Sequence, residues 1–372
     1  MDRLANVARH VVATPAAATS AEQPEAATVT QGDLVRERLA AKMPKTAAAN
    51  AELEERDLLA MGAALQTRQH PVLAAKSKGA HTWDIDGNRY LDLHGFGSHI
   101  LGFSHDVVVA ATKAEIDGGV GIHNAWYLVR QGQDRVASLL AEASPHVCEQ
   151  ALFVSSGNDA TAMAMRAARA HTQRTRIALC HGAYHGEHDH TQTTKGGLPA
   201  AQESIVRIPF NDDDAFETIR AHADELAMVF VEAVPSSVPT TSHVPWLRRL
   251  EVVCRECGVL FGMDETITGF RIEWGGAHVR WGISPDLVCY GKLVGGGMPV
   301  GVLAGKRSIM RGFSEGGVMG VQGSHHGHPL AMAAGTAVLS WLKENRGWFY
   351  QGMRSRLGSL EEELNAYCES RR

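Results

Sequence analysis

The sequence has neither an excess of positive charge nor a long apolar run. Its 36 Lys and Arg residues are outnumbered by 41 Asp and Glu residues, which leaves a formal net charge of −5 in 372 residues. Such a charge provides no basic surface for nucleic acid or for an anionic membrane. No apolar stretch approaches the roughly 18 residues that span a bilayer. With 44% hydrophobic residues, we expect a globular protein that has neither nucleic acid nor a membrane as its partner.

Cysteine is also sparse, and its one recognisable spacing is the C-x-x-C of Cys254 and Cys257, which lacks a second pair and is expected to pack within a helix. The six cysteines are scattered through apolar segments and do not form the framework of a disulfide-rich domain. Four histidines between positions 181 and 190 lack the spacing of zinc ligands, and no pair of cysteines lies near them to complete a site. We therefore predict reduced thiols, no metal site and a cytoplasmic protein.

The central part of the chain alternates short apolar runs with helical stretches. Several runs lack the polar alternation of a half-exposed sheet, so we expect strands that are buried on both faces. The runs are 151–154, 176–179, 205–208, 228–231, 259–262 and 287–289. This pattern predicts an α/β fold with a mostly parallel sheet flanked by helices. Ligands bind such sheets at the carboxyl ends of the strands, so the residues that follow each run are candidates for chemistry.

The segments on either side of this central part carry simpler patterns. Residues 1–30 are small, polar and aperiodic, which predicts a flexible extension. The segment 83–93 predicts two strands joined by a turn at 86–88, where glycine supplies a positive φ. After Pro329, a helix over 330–341 is expected to lead to a second, charged helix around Glu361.

Lys292 follows the last apolar run and precedes three consecutive glycines at 295–297. A lysine amine that is partly desolvated titrates nearer neutrality and can form a Schiff base with an aldehyde. The alternative is an ordinary surface lysine whose stem lies along the protein. Lys292 is thus a candidate covalent catalyst whose role depends on its neighbours.

Two further side chains follow apolar runs. Asp264 emerges directly from a strand, and a carboxylate there should meet a cation because an unpaired buried charge is costly. The alternatives for Asp264 are a local turn cap or an ion pair with Arg271. Tyr184 follows the run 176–179 and can stack on a planar ligand or simply pack in the core.

The run 151–154 ends in the sequence SSGND and opens an alanine-rich helix over 160–170. Free N–H groups at a helix start can hold a phosphate, and glycine allows the phosphate to approach closely. The alternative is that Ser156 or Asn158 only caps the helix. The segment has neither the G-x-G-x-x-G pattern of dinucleotide sites nor a P-loop.

These features occur in one order along the chain, within five segments. The segments are 153–160 (FVSSGNDA), 182–186 (GAYHG), 263–271 (MDETITGFR), 285–301 (PDLVCYGKLVGGGMPVG) and 327–335 (GHPLAMAAG). In them the chain closely resembles the class III (fold type I) aminotransferases, which depend on pyridoxal 5′-phosphate. Within that family it is most similar to the members that resemble glutamate-1-semialdehyde aminomutase. The resemblance extends over about 71–339.

The resemblance implies catalytic roles for three matched residues. Lys292 would form a Schiff base with the cofactor and carry protons between the substrate and the cofactor. Asp264 would pair with the pyridine nitrogen, whose charge makes the ring an electron sink. Tyr184 would stack on one face of the ring, and Thr266 would lie against the other face.

The resemblance also implies which residues bind the cofactor phosphate. Backbone N–H groups of Gly157 and Asn158 would hold it at the helix start. Ser324 would reach the phosphate of the other subunit, which implies a homodimer with shared active sites. The remaining residues predicted to belong to the cofactor site are Ser156, His185 and Glu232.

Several positions depart from the family pattern. Asn158 stands where threonine is usual, and Thr266 where valine is usual. Ile267 occupies the place of a glutamine or methionine beside the ring, and Phe96 that of a tryptophan near the aminomutase substrate. Family members continue past the position of Arg372, so we expect a small domain that is incomplete at its C-terminus.

We therefore predict a fold type I transferase with a large cofactor-binding domain at 105–335. Residues 31–104 would contribute to the small domain, and 336–372 would begin its C-terminal segment. The predicted activity moves an amino group on a small amino acid, amine or amino aldehyde, as an aminotransferase or an aminomutase. Two alternatives are a cofactor-binding partner subunit without turnover and a pyridoxal-phosphate-dependent racemase or epimerase.

Overall fold

The computed structural model describes residues 41–46, 48, 72–118, 131–191, 197–314 and 316–371. The chain divides into two compact units, one made of Met1–Ala75 and Trp83–Arg89 and the other of Lys76–Thr82 and Tyr90–Arg372. The flexible extension predicted for residues 1–30 lies outside the described residues. The domain boundaries expected at 104 and 335 remain predictions.

A small sheet contains the hairpin that the sequence predicts. Its strands are β1 (Ala74–Lys78), β2 (His81–Asp84) and β3 (Arg89–Leu91), in that order. The buried Asp84 carboxylate accepts hydrogen bonds from the amides of Asp86 (2.9 Å) and Asn88 (2.8 Å), which closes the turn between β2 and β3. Gly87 has a φ of 90°, the left-handed conformation that glycine adopts most readily. The predicted hairpin is confirmed.

The main sheet has seven strands in the order β4-β10-β9-β8-β7-β5-β6. The strands are β4 (Gln150–Val154), β5 (Arg176–Cys180), β6 (Ile205–Ile208), β7 (Leu226–Glu232), β8 (Leu260–Asp264), β9 (Leu287–Gly291) and β10 (Gly301–Gly305). From β9 through β8, β7 and β5 to β6 every neighbouring pair is parallel. The mostly parallel sheet expected from the sequence is confirmed, and its parallel strands end at one edge.

Strand β10 was not predicted, and it is the exception to the parallel order. It pairs antiparallel with β4 on one side and with β9 on the other. Its glycine-bounded sequence has weak strand propensity, which is why its pattern did not indicate a strand. A Cβ built on Gly301 would lie 1.8 Å from the Ser156 carbonyl oxygen. Glycine at position 301 therefore lets β10 pass close to the backbone of Ser156, which lies just after the end of β4.

Helices cover both faces of the main sheet. They are α1 (Asp106–Asp117), α2 (Gln131–Ala143), α3 (Gly157–Thr172), α4 (Pro199–Glu203), α5 (Asp214–Ala221), α6 (Val244–Glu256), α7 (Ala277–Trp281), α8 (Arg307–Met310) and α9 (Pro329–Glu369). Every residue of β7 is buried, as expected for a strand with helices on both sides. No helix in the described ranges is long and apolar enough to cross a membrane.

The prediction of two helices after Pro329 was wrong, because α9 is one continuous helix of 41 residues. Proline at its first turn is tolerated, since the N–H that proline lacks would be unpaired there anyway. Single glycines within the helix cost about 1 kcal/mol each without ending it. A side chain at Gly335 would lie 2.5 Å from the Val294 carbonyl oxygen. Glycine at this position therefore lets α9 approach the turn that follows β9.

A buried carboxylate fastens the segment that follows β8. Glu265 is fully buried and accepts hydrogen bonds from the amides of Ala277 and His278, each at 2.7 Å. Its carboxylate also accepts from the Thr268 hydroxyl at 2.7 Å and lies 2.6 Å from the Nδ1 atom of His278. The other ring nitrogen of His278 lies 2.8 Å from the Ser144 hydroxyl. This network ties α7 and the end of α2 to the residue directly after Asp264.

Replacing Glu265 with alanine is expected to destabilise the protein by about 3 to 5 kcal/mol, because it leaves several buried donors without an acceptor. The measurement is urea unfolding followed by circular dichroism. Glu256→Ala is the matched control, since this α6 carboxylate is exposed and should change stability by less than about 0.5 kcal/mol. Equal unfolding midpoints for the two variants would contradict the structural role of Glu265.

Candidate active site

The carboxyl ends of three neighbouring strands bring the candidate residues together. Glu232 at the end of β7 is in register with Asp264 at the end of β8, and Asp264 is in register with Cys289 of β9. Lys292 directly follows β9 and begins a 3-10 turn, Lys292–Gly295. Because the strands are parallel, their ends lie side by side, and the sheet places two carboxylates and an amine at one edge.

Lys292 is held in an unusual conformation and a partly buried setting. Its φ of 45° lies in the left-handed region, which costs a residue with a side chain about 1 to 3 kcal/mol and persists only where the surroundings enforce it. Burial lowers the pKa of Lys292, the negative charge of Asp264 opposes that shift, and the positive charge of Arg271 reinforces it. The net lowering increases the fraction of neutral, nucleophilic amine.

Asp264 pairs with a histidine and not with Arg271. Its Oδ2 atom accepts a hydrogen bond from Nδ1 of His185 at 2.9 Å, and its Oδ1 atom accepts from the Thr266 amide at 3.0 Å. Burial alone would raise the pKa of Asp264, but these hydrogen bonds hold the pKa below its ordinary value of 3.8. The carboxylate therefore stays ionised through the neutral pH range, and it also caps its local turn, as one of the alternatives proposed.

Tyr184 lies at the cavity wall, and Glu232 holds it there. The Tyr184 amide donates to Oε2 of Glu232 at 3.0 Å, and the Ser236 amide donates to Oε1 at 3.0 Å. Tyr184 is 54% exposed. Its partial burial, together with the negative charges of Glu187 and Asp264, raises the pKa of its phenol, which therefore stays protonated at neutral pH. Because backbone amides occupy both oxygens of Glu232, this residue positions Tyr184 and leaves no carboxylate oxygen free of a partner.

The start of α3 has the geometry expected of an anion site. Ser156 caps the helix by accepting from the Asp159 amide at 3.2 Å, and Gly157 and Asn158 follow as its first residues. A Cβ on Gly157 would lie 2.7 Å from a methyl group of Thr266, so glycine allows this close approach. The Asn158 side chain accepts from the Glu187 amide at 2.6 Å. The backbone N–H of Asn158 belongs to the first turn of α3.

A cavity of 170 Å³ joins these groups. Every residue predicted to belong to the cofactor site lines it, except Ser156 and Ser324. Ser156 acts as the helix cap, and Ser324 is exposed in the segment before α9. The sequence did not predict four residues that line the cavity, which are Thr161, Gly186, Val234 and Thr268. Thr161 could have been predicted, because it lies one helical turn after Gly157 and therefore on the same face of α3.

The polar groups of this cavity fit a planar, phosphorylated ligand. Nε2 of His185 and Oγ1 of Thr266 are buried and have no hydrogen-bond partner among the described residues. Buried polar atoms are nearly always paired in proteins, so their orphaned state indicates that a polar ligand completes them. The helix start offers donors for a phosphate, Asp264 offers a negative charge, and Lys292 offers an amine that can bond to an aldehyde.

Comparison with known proteins identifies the family. The model of the family described as aminotransferase class-III matches residues 63–371. The chain belongs to the class III aminotransferases. The family predicted from the five sequence segments is confirmed, and so is the fold type I architecture.

Individual relatives agree with this assignment. The chain is 35% identical over 291 residues to glutamate-1-semialdehyde 2,1-aminomutase of Heliobacterium modesticaldum, an alignment that covers 74% of this chain and 66% of the relative. The chain thus spans about two thirds of that relative's length. The structure of an omega-transaminase from Sphaerobacter thermophilus superposes with a TM-score of 0.74 at 31% identity, covering 82% of this chain and 74% of that one.

A second solved structure bears on the cofactor. A transaminase with pyridoxal phosphate bound superposes with a TM-score of 0.72 at 29% identity, covering 79% of this chain and 74% of that chain. The cofactor predicted from the sequence is therefore the one that this relative holds. The residues around Lys292 and Asp264 provide the matching donor and acceptor groups.

Proposed function

We propose that this class III aminotransferase uses pyridoxal 5′-phosphate to move an amino group on a small amino acid, amine or amino aldehyde. The observation that carries the proposal is the meeting of Lys292 and Asp264 in one cavity with the start of α3. A phosphate at the helix start, a ring nitrogen at Asp264 and an aldehyde at Lys292 would satisfy the three groups together.

Each residue has a defined task in this proposal. When bound, pyridoxal phosphate supplies an electron sink for the bond that breaks at the substrate carbon. Asp264, kept ionised by His185, would supply the negative charge that holds a proton on the ring nitrogen. The Lys292 amine would hold the cofactor, and it would accept and return the proton of the substrate carbon. Tyr184 and Thr266 would enclose the ring from its two faces.

The half-reaction with an amino donor tests the proposal. Full-length protein mixed with pyridoxal phosphate should develop the absorbance of lysine-bound cofactor, and glutamate or alanine should then convert it to the absorbance of the pyridoxamine form. Protein kept without a donor is the control and should hold its first spectrum. A stable lysine-bound spectrum that no donor changes would instead support the non-catalytic partner subunit.

Similarity to a 2,1-aminomutase favours a second form of the same chemistry, in which the amino group returns to a neighbouring carbon of the same molecule. An aminomutase completes turnover without a keto acid, whereas an aminotransferase needs one to regenerate the cofactor. Measuring product with and without an added keto acid separates the two. A racemase or epimerase would invert the substrate without accumulating the pyridoxamine form.

The proposal includes a homodimer with shared active sites, located in the cytoplasm. Support for the shared site comes from Ser324, which is exposed and does not line the cavity of its own chain. In the family pattern this position reaches the cofactor phosphate of the other subunit. Loss of pyridoxal phosphate affinity in a Ser324→Ala protein that still dimerises would support this role.

A further inference from the structure

Arg271 is a charged residue near the cavity whose role is not explained by the catalytic groups. It lies in the turn after β8, where its Nε atom donates to the carbonyl oxygen of Ile267 at 3.0 Å. One of its terminal nitrogens donates to the carbonyl oxygen of Gly97. Burial lowers its pKa, yet no carboxylate among the described residues forms an ion pair with it. A desolvated arginine without an acidic partner is costly, so its position requires an explanation.

The segment that Arg271 contacts is a turn with an unusual backbone conformation. Gly95, Phe96 and Gly97 form a short turn in which all three residues have positive φ, at 49°, 46° and 70°. The conformation of Phe96 is unfavourable, because left-handed backbone is sterically strained in a residue with a side chain. Local hydrogen bonds hold part of this turn, since the Gly97 amide donates to the His94 carbonyl oxygen at 3.1 Å. Arg271 adds a contact from a distant segment, because it links Gly97 to Ile267, a residue that lines the cavity.

The same contact brings the guanidinium close to the reactive lysine. A Cβ built on Gly97 would lie 3.5 Å from a terminal nitrogen of Arg271 and 3.5 Å from Cδ of Lys292. Gly97 is thus the point where the arginine, the lysine stem and the turn that carries Phe96 meet. A larger residue at position 97 would contact both side chains, and its backbone would have to adopt the unfavourable φ of 70°.

We propose that Arg271 is a positioning residue for the amino-group chemistry, an inference that rests on the proposed function of the site. It holds the Gly95–Gly97 turn, and with it Phe96, beside Lys292. It also places a positive charge without an acidic partner near the lysine amine. Phe96 occupies the position of a substrate-facing aromatic residue in the family pattern, so the contact connects the substrate side of the pocket to the lysine.

The charges around Lys292 explain why an unpaired cation is useful there. Burial lowers the pKa of Lys292, Asp264 and Glu232 raise it, and Arg271 lowers it. Tyr184 and His185 also line the cavity. Two carboxylates near a lysine would favour its charged form, which cannot attack an aldehyde. Arg271 offsets part of that effect, so its charge keeps more of the amine neutral at a given pH.

Two substitutions separate the effect of the hydrogen bonds that Arg271 donates from the effect of its positive charge. Arg271→Lys keeps a positive charge but cannot reach both carbonyl oxygens, because lysine lacks the fork of the guanidinium. Arg271→Gln removes the charge and most of the donors. Arg249→Gln is the matched control, since this exposed arginine lies on α6 and pairs with Asp213.

The first readout needs no catalysis. The full chain, prepared without cofactor, is treated with an amine-acylating reagent over a range of pH, and modification of Lys292 is followed by mass spectrometry. In Arg271→Gln the labelling midpoint should move to higher pH, and the rate near neutrality should fall several-fold. Arg271→Lys should retain the midpoint of the unmodified chain, as should Arg249→Gln.

The second readout is the KM of the amino donor. Both Arg271 variants should raise it roughly tenfold with a smaller change in kcat, the factor expected for losing a charge-assisted hydrogen bond that positions the substrate side. Unchanged labelling in Arg271→Gln together with an unchanged KM in both variants would overturn the proposal. If Arg271→Gln does not fold, the KM of Arg271→Lys decides. If the unmodified chain converts no amino donor, the proposed function fails, whereas the labelling still tests the charge of Arg271.

Discussion

Lys292→Ala is expected to abolish the absorbance of lysine-bound pyridoxal phosphate and to reduce amino-group transfer by about 10³-fold or more, because one residue supplies both the covalent link and the proton carrier. Alanine offers no amine at the end of β9, and no other lysine lines the cavity. The cofactor can still bind through the helix start and Asp264. The measurement combines an absorbance spectrum with a donor assay on the purified variant.

Lys343→Ala is the control for this result. That lysine lies on α9, is partly exposed and pairs with Glu142 at 2.7 Å, far in sequence from the cavity residues. An exposed ion pair contributes at most about 1 kcal/mol, so the control should keep its fold, spectrum and activity. Retention of the lysine-bound spectrum by Lys292→Ala would assign the covalent role to a different lysine.

Asp264→Asn is expected to lower turnover by about 10²- to 10³-fold, since a neutral amide cannot hold a proton on the ring nitrogen. The substitution keeps the size of the side chain, so the effect reports the lost charge. It also deprives His185 of its anionic partner, a buried contact of 2.9 Å in the present structure. Pyridoxal phosphate affinity should fall along with turnover, and equilibrium dialysis measures it.

Asp213→Asn serves as the matched control, because that exposed carboxylate pairs with Arg249 on the surface. It should leave both affinity and turnover unchanged. The role of Asp264 would be contradicted by a variant that binds the cofactor as the unmodified chain does and turns over within about threefold of it.

The residues at strand ends were predictable because the sequence shows both their side-chain types and their order along the chain. An apolar run that ends in lysine, aspartate or SSGND marks a sheet edge, and parallel strands end on the same side of the sheet. The structure accordingly places Lys292, Asp264 and Gly157 around one cavity. Their predicted roles toward a cofactor rest on the family resemblance and remain predictions.

What the sequence did not indicate depends on contacts between distant segments. Strand β10 is bounded by glycines, and only its approach to Ser156 explains them. Glu232 accepts hydrogen bonds from two backbone amides in separate loops, and its expected role toward the cofactor stays a prediction. The contact from Arg271 to Gly97 joins residues 174 positions apart. No local pattern carries such information, because the partners become neighbours only after the sheet has formed.

The continuous helix α9 illustrates a different limit. Small and charged residues in its middle interrupt the apolar periodicity, which led to the prediction of two helices. Helix continuity depends on backbone propensity as well as on pattern, and no proline follows Pro329 within the helix. The packing of Gly335 against the turn after Lys292 then fixes the start of α9 near the site.

The central claim is that Lys292 is the residue that bonds to pyridoxal phosphate. Full-length protein is incubated with the cofactor, reduced with borohydride, digested and mapped by mass spectrometry. We expect a stoichiometric pyridoxyl group on the peptide that contains Lys292, with Lys306 and Lys343 unmodified. A pyridoxyl group spread over surface lysines, with none on Lys292, would contradict it.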